Sequence, residues 1–206
     1  GTPILSDVSF QIEAGQTLGV IGESGSGKSM TALSIMQLLP RGAESQGSVH
    51  FDGRTLNMLS EEQLCDIRGS DIGMIFQEPM TALNPLIPCG KQILECSTAQ
   101  SPEILSELLE KVELTDTKRV AASYPHELSG GQRQRIMIAM ALAKKPKLLI
   151  ADEPTTALDI AVQTGILDLL KKLSREENMG ILFITHDLLS LKGFADHIAV
   201  MYHGNI

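Results

Sequence analysis

Gly22-Glu23-Ser24-Gly25-Ser26-Gly27-Lys28-Ser29 is the stretch whose reading decides the fold. The apolar run Thr17-Leu18-Gly19-Val20-Ile21 precedes it, and the helix-compatible run Met30 to Leu39 follows. A buried strand that feeds a glycine loop, which then opens a helix, is the context in which G-x-x-x-x-G-K-[ST] means a phosphate-binding loop. The glycines let backbone N–H groups turn toward one anion, and the helix N-terminus adds free donors and partial positive charge. Gly22, Ser24, Gly25, Ser26, Gly27 and Met30 are therefore expected around the phosphates of a nucleotide. Lys28 would reach the β- and γ-phosphates, and the Ser29 hydroxyl would ligate Mg²⁺.

Composition bounds the rest. At 206 residues the chain is one large domain or two small ones, with enough apolar sequence for a sizeable core. No run approaches the roughly eighteen uninterrupted apolar residues of a membrane span, so a membrane role would come through a partner. A net charge of −8 argues against a broad nucleic-acid surface. Cys65, Cys89 and Cys96 are widely spaced without a C-x-x-C, which fits a reduced compartment better than a disulfide framework or a zinc site.

Partial alternation over Ile4 to Ile12 predicts a first strand, and Thr17 to Ile21 a second. Gly47 to Gly53 reads as a strand running into an Asp-Gly turn, with His50 an exposed strand residue. Ser60 with Gln63 three residues on starts a helix expected to reach about Arg68. Ile72 to Phe76 is a short buried strand with Gln77 at its end. Pro79, Pro85 and Pro88 then impose a loop, followed by helical patterns around Gly90 to Cys96 and Pro102 to Val112. Nothing between Phe76 and Tyr124 reads as a core strand, which predicts an inserted helical subdomain of about residues 84–145.

Ser129 opens a further helix with Gly130-Gly131 at its start, a costly pair that reads equally as a flexible N-cap or as a close approach to an anion that would compensate the cost. Leu148 to Ala151 suits a parallel strand buried on both faces. It ends in Asp152-Glu153, adjacent carboxylates that are too expensive for packing residues and belong at the ligand-binding edge of an open α/β sheet. Asp152 would hold Mg²⁺ through water, and Glu153 would polarise an attacking water. Ala161 to Glu177 is a long amphipathic helix, and Ile181 to Thr185 another buried strand with His186 at its end. Gln77, Asp152 and His186 thus share one sheet edge. His197 and His203 have no such placement and read as structural, and Ile198 to Tyr202 as a last strand.

These segments carry a resemblance. Gly22 to Ser29 looks like a Walker A loop, Gln77 like a Q-loop, Leu128-Ser129-Gly130-Gly131-Gln132 like the LSGGQ signature, and Leu148 to Glu153 like a Walker B strand with its catalytic carboxylate. Ala157-Leu158-Asp159 resembles the D-loop, and His186 the switch histidine. Order and spacing agree along essentially the whole chain, which is similar to the ATP-binding subunit of an ABC transporter. Ile75 to Pro85, Tyr124-Pro125-His126-Glu127 and Ile150 to Asp159 resemble the dipeptide, oligopeptide and nickel importer branch.

The resemblance implies an α/β fold: a P-loop NTPase core with a mostly parallel sheet, an N-terminal antiparallel β subdomain and an inserted α-helical subdomain. It implies ATP and Mg²⁺, with Glu153, His186, Gln77 and Lys28 catalytic and Ser29, Gln77 and Asp152 around the metal. Ser129, Gly131, Gln132 and Asp159 would complete the ATP site of a second ABC ATPase subunit, joined head to tail as a homodimer or heterodimer. Transmembrane permease subunits would face Gln77 with Glu78 to Cys96, and an extracytoplasmic solute-binding protein would act indirectly. No nucleic-acid partner is implied, and the subunit would sit peripherally on the cytoplasmic face of the inner membrane. Family members stack adenine on an aromatic upstream of the first strand here, so the chain reads as a piece of a longer subunit. The alternative is a non-transport ABC ATPase acting on DNA or ribosomes. The coiled-coil insertion or zinc motifs of the chromosome and repair types are missing from this sequence, and the Gln77 to Pro85 text disfavours the translation type.

Overall fold

The computed structural model describes residues 3–77, 82–156 and 158–206. Strand β1 (Thr17–Ile21) runs into the glycine loop, and helix α1 (Lys28–Ile35) leaves it. A short antiparallel pair follows, β2 (His50–Phe51) with β3 (Arg54–Thr55), and then helix α2 (Glu61–Ile67), which the Ser60 and Gln63 capping box starts as expected. Strand β4 (Ile72–Ile75) leads to a helical stretch: α3 (Cys89–Cys96), α4 (Pro102–Lys111), α5 (Thr117–Ala122) and α6 (Gly130–Leu142). The chain then returns through β5 (Leu148–Asp152), α7 (Ile160–Glu176), β6 (Gly180–Thr185), the single turn α8 (Leu188–Leu191) and β7 (His197–Val200).

The main sheet has the order β4-β5-β6-β1-β7, with every neighbouring pair parallel. Leu149, Ile150 and Ala151 of β5 and all six residues of β6 are buried, as strands covered by helices on both faces must be. One apolar cluster fills the space between the sheet and the helical stretch, including Ile93, Leu109, Ile136, Ile138, Leu149 and Phe183. A second, on the other face, includes Val20, Ala32, Leu56, Ile67, Ile150 and Ile184.

Several expectations are corrected. Ile4 to Ile12 is not a strand: Leu5, Val8, Phe10 and Ile12 pack on the second cluster, but among the described residues the link to the rest of the backbone is a single Ser6 N–H donating to the Gly204 carbonyl at 2.7 Å. The alternation reflects burial without a ladder. The antiparallel part among the described residues is therefore the pair β2 and β3. Helix α1 stops at Ile35 rather than Leu39 because Gln37 takes a positive φ of 53°. Its N–H and that of Leu38 bond back to Ser34 and Leu33, a Schellman motif made without glycine. The guanidinium of Arg68 then donates to the Met36 and Gln37 carbonyls, both at 2.8 Å, and pairs with Glu61. Helix α5, capped by Asp116, and the turn α8, capped by Asp187, were not expected. The last strand ends at Val200, and Tyr202 makes only an isolated bridge to Asn205.

Candidate active site

Parallel order brings the carboxyl ends of the strands to one edge, and the chemistry-bearing residues follow directly on them. Gly22 follows β1, Gln77 lies two residues beyond β4, Asp152 closes β5 with Glu153 next, and His186 follows β6. This is where open α/β sheets bind ligands.

The glycine loop is tightly built. Gly25 and Gly27 have φ of 79° and 111°, a region open to glycine at little cost. Gly22 has no room for a side chain, since a Cβ there would stand 2.3 Å from the Met201 carbonyl oxygen and 2.6 Å from Ser26 Oγ. The Gly204 N–H donates to the Ser26 carbonyl at 2.8 Å, tying the loop to the far end of the chain. Lys28 is buried, and its ammonium donates to the Gly22 and Glu23 carbonyls at 2.8 and 2.9 Å. An ammonium has three donors, so one is left for an anion. Ser24 lies in the exposed turn of the loop, Ser29 is exposed in the first turn of α1, and Met30 follows it half-buried.

Asp152 is buried, and its Oδ1 has no partner among the described residues. Burial pushes its carboxyl up from the ordinary value, the neighbouring Ser29 hydroxyl opposes this, Glu153 adds to it and Lys28 opposes it. A buried, unpartnered carboxylate oxygen beside a serine hydroxyl fits a divalent cation. No group of three or more His, Cys, Asp and Glu among the described residues forms a metal cage. That combination suits Mg²⁺, which takes one or two protein oxygens and completes its shell with water and phosphate. Ser29 and Asp152 would hold it.

Glu153 has a φ of 48°, a strained value for a non-glycine residue that costs on the order of 1–2 kcal/mol. Its N–H still donates to the Ile184 carbonyl at 2.9 Å, so the ladder with β6 continues while the side chain turns out at the edge. There Glu153 Oε2 accepts from Gln77 Nε2 at 3.2 Å and from Thr156 Oγ1 at 3.0 Å, and His186 Nδ1 lies 3.0 Å away. A carboxylate only accepts, so this Nδ1 carries the hydrogen. The sequence brings Gln77, Glu153 and His186 to one edge, and the structure joins them through one oxygen. Thr156 was missed, although its spacing of three from Glu153 was the available signal.

The Ser129 group lies elsewhere. Ser129 caps α6 by accepting from the Gln132 N–H at 3.2 Å, while Gln132 Oε1 accepts from the Ser129 N–H at 3.0 Å. Ser129, Gly131 and Gln132 line a cleft of about 420 Å³ with Arg135, Val162 and Gly165 and with no residue of the glycine loop. Gly131 is close-packed, since a Cβ would stand 2.7 Å from Val162 Cγ1. Asp159 caps α7 by accepting from the Val162 N–H at 2.9 Å. Glu78 to Thr81 and Ala157, parts of the expected Q-loop text and D-loop, lie outside the described residues.

The family described as "ABC transporter" matches residues 5–156. The chain belongs to this family. It is 48% identical over 207 residues to the oligopeptide transport ATP-binding protein OppD of Escherichia coli, a match that covers 97% of this chain and 61% of OppD. A peptidoglycan transport ATP-binding protein, YejF of Agrobacterium fabrum, is 51% identical over 97% of this chain and 38% of its own length. The chain thus spans about three-fifths or less of these curated ABC relatives. Among solved structures, the ATP-binding cassette MJ0796 in a dimeric post-hydrolysis state bound to ADP and Pi superposes with a TM-score of 0.85 at 33% identity. That match covers 98% of this chain and 88% of the other, so the fold is that of an ABC cassette. No helix among the described residues is long and apolar enough to cross a membrane.

Proposed function

We propose that this chain is the ATP-binding and ATP-hydrolysing part of an ABC importer for peptides or peptide-containing solutes. The observation that carries the reading is the Glu153 carboxylate, held at the sheet edge by Gln77 and His186 beside the buried Asp152. Similarity to OppD and YejF supports a peptide-like cargo.

The loop amides and the free Lys28 donor bind the phosphates. Ser29, and Asp152 through water, would hold Mg²⁺ with Gln77 near it, and the ion would supply positive charge to offset the negative charge of the phosphates. Glu153 takes a proton from water, whose oxygen attacks the γ-phosphorus as the bond to the bridging oxygen breaks and its electron pair leaves with ADP. His186 contacts the γ-phosphate. Positioning and charge stabilisation account for most of phosphoryl-transfer catalysis, and this set supplies both.

A second subunit docks head to tail, so that Ser129, Gly131, Gln132 and Asp159 close over the partner's ATP. The separate cleft of the Ser129 group and the dimeric state of MJ0796 support this. Residues 84–145 form the helical subdomain, and Gln77 with Glu78 to Cys96 faces the permease subunits on the cytoplasmic face of the inner membrane.

The test pairs Glu153→Gln with Lys28→Ala in the full-length protein. Glu153→Gln keeps affinity for a fluorescent ATP analogue within a few-fold and lowers phosphate release by about 10²-fold or more. Lys28→Ala weakens analogue binding itself. Near-normal hydrolysis by Glu153→Gln would remove Glu153 from the role of base.

A further inference from the structure

Three donors converge on one oxygen of Glu153. Gln77 Nε2, Thr156 Oγ1 and His186 Nδ1 stand 3.2, 3.0 and 3.0 Å from Oε2, and no donor among the described residues reaches Oε1. A carboxylate oxygen has two lone pairs, so Oε2 is oversubscribed while Oε1 is open.

The three donors are not equivalent. Gln77 and His186 come from the ends of β4 and β6 and are both exposed at the edge where the triphosphate would lie. Thr156 belongs to the same turn as Glu153, and its N–H donates to the Glu153 carbonyl at 3.2 Å. It therefore moves with the carboxylate whatever the neighbouring strands' side chains do.

We infer that Thr156 is a positioning residue for Glu153: its hydroxyl keeps Oε2 occupied when Gln77 and His186 turn to the nucleotide, leaving Oε1 as the oxygen that takes the proton from water. This rests on the reading of Glu153 as the base. Oε1 gains the proton, the water oxygen bonds to the γ-phosphorus, and the bridging oxygen leaves with its electron pair on ADP. No electron transfer and no further reactant are needed.

Thr156→Val keeps the shape and deletes the donor, Thr156→Ser keeps the donor, and both are compared with Glu153→Gln in the full-length protein. Thr156 is exposed, and thermal unfolding checks that each variant folds. Thr156→Val is expected to lower kcat about tenfold, the scale of one hydrogen bond to a charged group. Its KM and its affinity for a fluorescent ATP analogue stay within about twofold, and Thr156→Ser restores kcat to within about twofold. Adding Thr156→Val to Glu153→Gln slows hydrolysis no further, since there is no base left to orient. Wild-type kcat in Thr156→Val, equal losses in Val and Ser, or a loss seen in KM and analogue affinity instead of kcat would each overturn the assignment. Normal hydrolysis by Glu153→Gln overturns the base reading beneath it; an inactive Glu153→Gln beside an unaffected Thr156→Val overturns this inference alone.

Discussion

Replacing Gly22 by alanine puts a methyl carbon 2.3 Å from the Met201 carbonyl oxygen, 2.6 Å from Ser26 Oγ and 3.2 Å from the Met201 carbonyl carbon. An ordinary carbon–oxygen contact is about 3.3 Å, so something must yield by about 1 Å. Two of the three obstacles are backbone, and that backbone is fixed by the Met201 N–H bonded to the Ile21 carbonyl at 2.7 Å. The glycine loop therefore moves, or β1 and β7 part. Overpacking of this kind costs about 1–3 kcal/mol in stability, and a displacement near 1 Å at a reacting centre costs about 10²-fold in rate. Gly25→Ala is the internal control, because no heavy atom lies within 4 Å of its Cβ position and only its φ of 79° is at stake. That conformation costs alanine about 1–2 kcal/mol without redirecting the loop. Analogue binding, steady-state phosphate release and thermal unfolding on both variants separate the two effects. Gly22→Ala is expected to lose turnover about 10²-fold, and Gly25→Ala to lose stability while staying within about tenfold of wild-type turnover. Wild-type turnover in Gly22→Ala, or a larger kinetic loss in Gly25→Ala, would refute the argument from close packing.

Other outcomes follow from the same geometry. Lys28→Ala and Ser129→Arg are each inactive as homodimers, but mixing the full-length proteins restores part of the ATPase activity through the one intact composite site; background activity despite label-proven subunit exchange would defeat completion of the site in trans. If the native partner is a different subunit, the two mutations are divided between the chains. Burial, with the Glu127 charge as the smaller cause, pushes the Cys89 thiol up to about 11, whereas Cys65 is exposed. Iodoacetamide at pH 8 followed by peptide mass spectrometry should therefore modify Cys65 in the folded protein and leave Cys89 intact. Arg68→Ala removes the charged donor from the Met36 and Gln37 carbonyls and should cost about 2 kcal/mol in urea denaturation. Arg68→Lys recovers less than half of it, because an ammonium lacks the planar fork.

The site was legible where chemistry is tied to strand ends. Asp152-Glu153 stood out because carboxylates directly after the apolar run Leu148 to Ala151 need a task, and His186 because the end of Ile181 to Thr185 shares its sheet edge with Gln77 and Asp152. The sharing of one Glu153 oxygen was not legible, because it depends on how β4, β5 and β6 lie side by side. The segment Ile4 to Ile12 misled for a physical reason: period-two burial predicts which side chains face the core, whereas a strand also needs a backbone partner. Helix α1 ended early because a glutamine occupies the left-handed position usually signalled by glycine or asparagine.

The place of β1 in the sheet also sets a timetable. Thr17 to Ile21 lie between Ile181 to Thr185 on one side and His197 to Val200 on the other, and the Ser26 carbonyl waits for the Gly204 N–H. At about 5–20 residues per second, a ribosome needs on the order of 10–35 s to pass from Lys28 to Gly204. Until β6 and β7 have been made the nucleotide loop lacks its flanking strands, and until Gly204 it lacks its clamp. The first residues of the site to be synthesised are therefore among the last to become competent.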